Sequence, residues 1–113
     1  RRMKMQPEEY IKKYQYRINW SEQDNTYIAY SLELPSILAH GNTQEKALSS
    51  VKEAILITLQ WMREENEMIP EPLALQNYSG RFSLRVGKEK HQELAIKAAE
   101  NGLSLNQYIL SRL

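Results

Sequence analysis

The sequence predicts an α+β chain in two parts: a small antiparallel sheet backed by one long helix, then a lone strand followed by two helices. Three observations carry this expectation. Residues 14–34 alternate in strand-favouring residues across a single polar turn, and residues 44–65 repeat apolar side chains at helical spacing. Arg81–Val86 alternates once more, but only two helical stretches follow it, so no second strand stands beside it.

The chain begins with a polar, basic stretch. Pro7-Glu8-Glu9 is a helix start, with proline in the first turn and acids at the positive end of the dipole, and it predicts a short helix over Pro7–Lys13. In Tyr14–Ser21, Tyr14, Tyr16, Ile18 and Trp20 share one face, and Gln15, Arg17 and Asn19 share the other. Glu22–Asn25 is a turn, and Thr26–Leu34 returns as the second arm of a hairpin until Pro35 breaks it. Ile37–His40 is a short candidate third strand.

Asn42 or Thr43 caps the long helix; with Asn42 as the cap, Glu45 closes a capping box. The helix runs to about Glu65, with Ala47, Leu48, Val51, Ala54, Ile55, Leu59 and Met62 as the stripe that packs on the sheet. Ile57 and Trp61 lie four apart and off that stripe. They are either the margin of a wide core face, a local packing contact or a docking patch for a partner. Ile69-Pro70-Glu71-Pro72 forces extended chain, so residues 66–79 read as a connection. The domains are set at 1–72 and 80–113, joined by a linker at 73–79.

In Arg81–Val86 the polar face is Arg81, Ser83 and Arg85, and the apolar face is Phe82, Leu84 and Val86. A lone strand leaves its edges without hydrogen-bond partners. The economical remedy is the same strand from a second copy, antiparallel about a two-fold axis. Lys88–Asn101 reads as a helix with Leu94, Ala95 and Ala98 inward and His91 one turn earlier. Asn101-Gly102 stops it, and Ser104-x-x-Gln107 opens a further helix with Leu105, Tyr108, Ile109 and Leu113 inward. Phe82, Leu84, Val86, Tyr108 and Ile109 are thus the expected dimer core.

Composition narrows the chemistry. Apolar residues are 42% and charged residues 26%, which places the chain among ordinary soluble proteins. Cysteine is absent, which excludes disulfides and thiolate chemistry. The apolar runs are too short for a bilayer, so a cytoplasmic protein without a membrane partner is expected. Asp24 is the only aspartate, His40 and His91 are far apart, and four glycines form no phosphate loop. No enzyme, metal site or cofactor is therefore expected.

Net charge is +1, but residues 1–76 hold 9 Lys/Arg against 11 Asp/Glu and residues 77–113 hold 6 against 3. The basic C-terminal part fits an anionic partner, and ordinary scatter of surface charge fits as well. A two-stranded ribbon fits the major groove of DNA, where Arg81, Ser83 and Arg85 would meet base edges. The start of the Ser104 helix would offer backbone N–H groups to a phosphate, with Ser104 and Asn106 as side-chain contacts.

Residues 80–113 resemble a ribbon-helix-helix domain of the Arc/MetJ type. The resemblance rests on the strand Arg81-Phe82-Ser83-Leu84-Arg85, on Glu100-Asn101-Gly102-Leu103-Ser104-Leu105-Asn106, and on Tyr108 and Ile109. It implies base reading by Arg81, Ser83 and Arg85 and phosphate clamping by Ser104 and Asn106. Residues 25–72 resemble the HicB antitoxins, through Tyr27-Ile28-Ala29-Tyr30, Leu34-Pro35, Gly41-Asn42-Thr43-Gln44-Glu45-Lys46-Ala47-Leu48, Glu53-Ala54-Ile55 and Ile69-Pro70-Glu71-Pro72. That resemblance implies a partial RNase H-like sheet with one long helix, ahead of a ribbon-helix-helix that forms an intertwined dimer.

The function so implied is an antitoxin that blocks a HicA-like mRNA-cleaving toxin, with Ile57 and Trp61 as candidate toxin contacts. It would repress its own operon at a palindromic double-stranded operator as a homodimer, or as pairs of dimers on adjacent half-sites. The rival is a stand-alone ribbon-helix-helix regulator whose N-terminal domain senses a ligand or only assembles. A nuclease on the RNase H-like fold is more remote, because its carboxylates are missing.

Overall fold

A computed structural model describes residues 5–113, which contain a three-stranded antiparallel sheet and four α-helices. The chain divides into two compact units, the first ending at Asn77 and the second Tyr78–Leu113. Among the described residues no helix is long and apolar enough to cross a membrane.

The first unit opens with α1 (Pro7–Lys13), where Glu8 and Glu9 lie in the first turn and Lys12 and Lys13 in the last, matching the dipole at both ends. Strands β1 (Tyr16–Ser21) and β2 (Thr26–Ser31) form the hairpin, in register from Tyr16 opposite Ser31 to Ser21 opposite Thr26. Its turn closes through Asn25, at φ 52°, and the Asp24 N–H donates to Ser21 Oγ. Strand β3 (Ala39–Gly41) adds to β2 with Tyr27 opposite Gly41 and Ala29 opposite Ala39.

Both arms of the hairpin are shorter than their alternation suggested. Tyr14 caps the end of α1, its N–H bonded to Tyr10 O, and drops its ring into the core beside Tyr10. Trp20, which alternation groups with Tyr14, Tyr16 and Ile18, is exposed at the end of the sheet. Its ring meets Tyr27 edge-on at 5.1 Å, and its indole N–H donates to Glu22.

Helix α2 (Gln44–Glu64) covers one face of the sheet. Ala47, Val51, Ile55 and Leu59 are fully buried, against Ala29 in the middle strand and Tyr10 and Tyr14 from the α1 side. The small Ala29 side chain lets the helix lie close. The cap is Thr43, not Asn42: Thr43 has the extended backbone a cap requires, and its Oγ1 accepts the Lys46 N–H. With Thr43 in that place the third helical residue is Lys46, which has no acceptor to return, so Glu45 closes no box.

At its other end α2 stops in a left-handed turn at Asn66, φ 56°, with Glu67 N–H bonded to Met62 O. The residues beyond, expected as free connection, are fastened to the first unit. Ile69 joins the core, Pro72 is buried, and Leu73–Leu75 makes a single 3-10 turn. Two side chains hold the segment: Tyr14 Oη donates to Pro70 O at 2.6 Å, and the Leu73 N–H donates to Glu33 at 2.9 Å. Glu33 also accepts from Gln15 N–H and Ser31 Oγ, so one carboxylate ties together three stretches of chain.

The tyrosines give this unit an alkaline limit. Burial, reinforced by the negative charge of Glu33, pushes the Tyr16 phenol up to about 12 from 10.0, and raises Tyr14 for the same two leading reasons. Tyr16 Oη donates to Ile11 O and Tyr14 Oη to Pro70 O, bonds that need the neutral phenols. A raised folded-state value means stability that is complete below pH 10 and lost as pH climbs toward the folded value. The urea midpoint of the first unit should therefore fall between about pH 10 and 12. Tyr16→Phe should flatten that fall, and an unaltered profile would exclude Tyr16 as its source.

Candidate functional site

The second unit starts as a segment without regular structure, so the strand expected at Arg81–Val86 is not formed within one chain; it then passes through Gly87 and forms α3 (Lys88–Glu100) and α4 (Leu105–Arg112). Helix α3 ends in a left-handed turn that glycine permits: Gly102 has φ 67°, Leu103 N–H bonds Ala98 O, and Gly102 N–H bonds Ala99 O. Helix α4 then opens with the expected capping box. Ser104 Oγ accepts the Gln107 N–H at 3.1 Å, and Gln107 Oε1 accepts the Ser104 N–H at 3.0 Å. On the surface of α3, Glu93 pairs with Lys97 and Lys90, whose hydrogen bonds hold its carboxyl below the usual range.

The two helices bury little. Among the described residues of this unit only Ala98 and Tyr108 are buried, while Leu94, Leu105 and Ile109 are half-covered. Ala95 and His91, placed inward by periodicity, are exposed. So is Leu113, which lies beyond the last helical residue and meets no facing element. Tyr78–Leu113 is shorter than the roughly 40 residues below which a chain usually needs disulfides, a metal or another copy to fold.

Arg81–Val86 is neither helical nor paired with β1, β2 or β3. Its apolar face is open: Phe82 is 82% exposed and Leu84 67%. Leu84 and Val86, with Leu94, Leu105 and Ile109, line an open groove of about 500 Å3. Arg81, Ser83 and Arg85 are all exposed, although Arg85 also borders that groove, and Ser79 Oγ holds the turn before them through Arg81 N–H at 3.1 Å.

Ser104 and Asn106, at the start of α4, are exposed. Capping uses the Ser104 oxygen as acceptor and leaves its hydroxyl hydrogen able to donate. The first-turn N–H groups of Leu105 and Asn106 precede the first carbonyls the helix can offer them. The structure thus keeps five of the expected nucleic-acid contacts on the surface of one unit. It joins Tyr108 and Ile109 to the helix pair and leaves Phe82 and Leu84 uncovered.

Ile57 and Trp61 belong to the first unit and project from α2 away from the buried stripe, 67% and 53% exposed. They are not the margin of a wide core face. The carboxylates of Glu53, Glu64 and Glu65 are exposed around them. Sequence reasoning marked the apolar pair but not this acidic surround, which helical spacing alone would have shown.

No curated protein and no solved structure gives a significant match to the chain. The HicB-like motifs quoted from residues 25–62 lie outside the family match, which takes in the whole second unit. Residues 63–113 match the model of the HicB family, so this part of the chain is similar to that family.

Proposed function

We propose that this chain is the antitoxin of a toxin–antitoxin pair, acting by binding and not by catalysis. The observation that carries the reading is the HicB family match across the residues that hold the exposed, ladder-free Arg81–Val86 segment. In this reading the first unit, with its partial RNase H-like sheet and long helix, covers a HicA-like mRNA-cleaving toxin. Two second units pair through Arg81–Val86 as a ribbon-helix-helix and bind a palindromic operator ahead of their own operon.

The chemistry on each face supports this division. Phe82, Leu84 and Val86 need cover that one chain does not supply, and an antiparallel mate would provide it. The same pairing would set Arg81, Ser83 and Arg85 of both copies into a major groove, where arginine reads guanine through two hydrogen bonds. Ser104, Asn106 and the free amides of α4 would hold the flanking phosphates. The excess of Lys/Arg over Asp/Glu in residues 77–113 favours association with DNA.

A gel-shift titration on the DNA upstream of the gene tests the reading. Arg81→Ala and Arg85→Ala should each cost ~1–3 kcal/mol at one base pair and relax the preference there. Asn106→Ala should weaken all sequences alike and leave the salt dependence unchanged, because a neutral amide displaces no counterion. Unaltered affinity and specificity in both arginine variants would remove the base-reading role. Full-length chain that fails to restore growth to cells expressing the adjacent toxin gene would remove the antitoxin role.

A further inference from the structure

We infer that the outward face of α2 docks a partner surface that is apolar at its centre and basic around it. The inference rests on the antitoxin reading and names the chemistry its toxin must present. Ile57 and Trp61, four residues apart, lie one above the other on a helix whose opposite side is locked by Val51, Ile55 and Leu59. Both side chains are more than half exposed, yet the backbone beneath them is fixed, so binding orders no chain. An exposed tryptophan on a rigid support is the usual anchor of an interface.

Charge identifies the occupant. Glu53 stands four residues before Ile57 and Glu64 three after Trp61, which extends the same face at both ends; Glu65 follows. All three are exposed, and among the described residues none is in an ion pair. The nearby Arg63 lies off this face, and its guanidinium donates to Gln6 Oε1. The negative end of the α2 dipole falls at the same place. This field repels an anionic lipid surface. It also opposes a second copy of this face, since two-fold pairing would bring the carboxylates together. A basic protein surface is the complement.

Binding of the purified product of the adjacent toxin gene to full-length chain, measured at low and high salt, tests this. Trp61→Ala should weaken binding at least about 30-fold, with Ile57→Ala acting in the same direction. Glu53→Gln with Glu64→Gln should slow association about tenfold and flatten its salt dependence. All of these side chains are exposed, so the melting temperature should not move. If wild-type chain binds and the Trp61→Ala and glutamine variants bind equally well, the docking face is wrong and the antitoxin reading stands. If wild-type chain does not bind, both fall. Loss of a toxin-free oligomer in Trp61→Ala would make the occupant a second copy and overturn the assignment.

Discussion

Gly41→Ala is expected to destabilise the first unit by about 3 kcal/mol, at the upper end of what overpacking usually costs. A Cβ at Gly41 would stand 2.3 Å from Ala47 N, 2.7 Å from Lys46 C and 2.8 Å from Ala47 Cα, all backbone atoms of the first turn of α2. A flexible side chain could swing aside, but a helix backbone cannot. Nor can Gly41 retreat, because it is paired with Tyr27 in the sheet and its carbonyl accepts from Thr26 Oγ1 at 2.8 Å. Relief requires lifting α2 away from β3, and that opens the layer where Ala47, Val51 and Ile55 are fully buried. The effect would show as a lower urea midpoint of the first unit.

Gly102→Ala makes the contrast. Its added Cβ meets nothing within 4 Å, so its cost is only that of a φ of 67°, about 1 kcal/mol. A Gly41→Ala chain as stable as wild type would mean that α2 does not lie this close to the sheet.

Gly41 also shows which parts of the molecule were legible in the sequence. That a glycine separates a strand from a capped helix could be read from order alone. That this glycine is needed for close approach could not, because the clash lies with atoms six residues further on, in a turn whose position depends on the cap. Local signals were legible wherever both partners of an interaction are near neighbours. Pro7–Lys13, the Ser104–Gln107 capping box and the Gly102 turn each depend on residues within six positions, and all three formed as expected. The stripe of α2 was equally plain, since helical geometry alone sorts Val51 from Ile57.

What stayed hidden was long-range. Residues 69–75 looked like free connection because Pro70 and Pro72 exclude helix and ladder. Their anchors, Tyr14 and Glu33, lie 56 and 40 positions earlier in the chain. Tyr14 itself was misplaced as a strand residue because alternation cannot see that a preceding helix has taken its amide. The same alternation groups Trp20 with Tyr16 and Ile18, but it says nothing about where a sheet ends relative to the helix that covers it. Of the candidate site, the alternation of Arg81–Val86 could be read directly, but the partner its edges require lies outside the chain's own sequence pattern.

Phe82→Asp is the substitution expected to do most harm to function. On the reading proposed here, Phe82 passes from 82% exposure in one chain to the centre of a two-fold interface. Full burial of such a ring is worth about 2–3 kcal/mol, and the symmetry counts it twice. An aspartate there would face its own mate, two carboxylates in an apolar layer with no cation to pair, and such charges are strongly disfavoured.

The remaining cover cannot compensate, because the second unit buries only Ala98 and Tyr108 by itself. Sedimentation should therefore show the wild-type dimer replaced by monomer, and operator binding should fall by more than about a hundredfold as the paired arginine faces separate. The first unit does not use Phe82, so its thermal transition and its affinity for the toxin should survive. A Phe82→Asp chain that still sediments as a dimer would refute the shared ribbon, because no antiparallel pairing of this segment can avoid bringing the two substituted positions into the same buried layer.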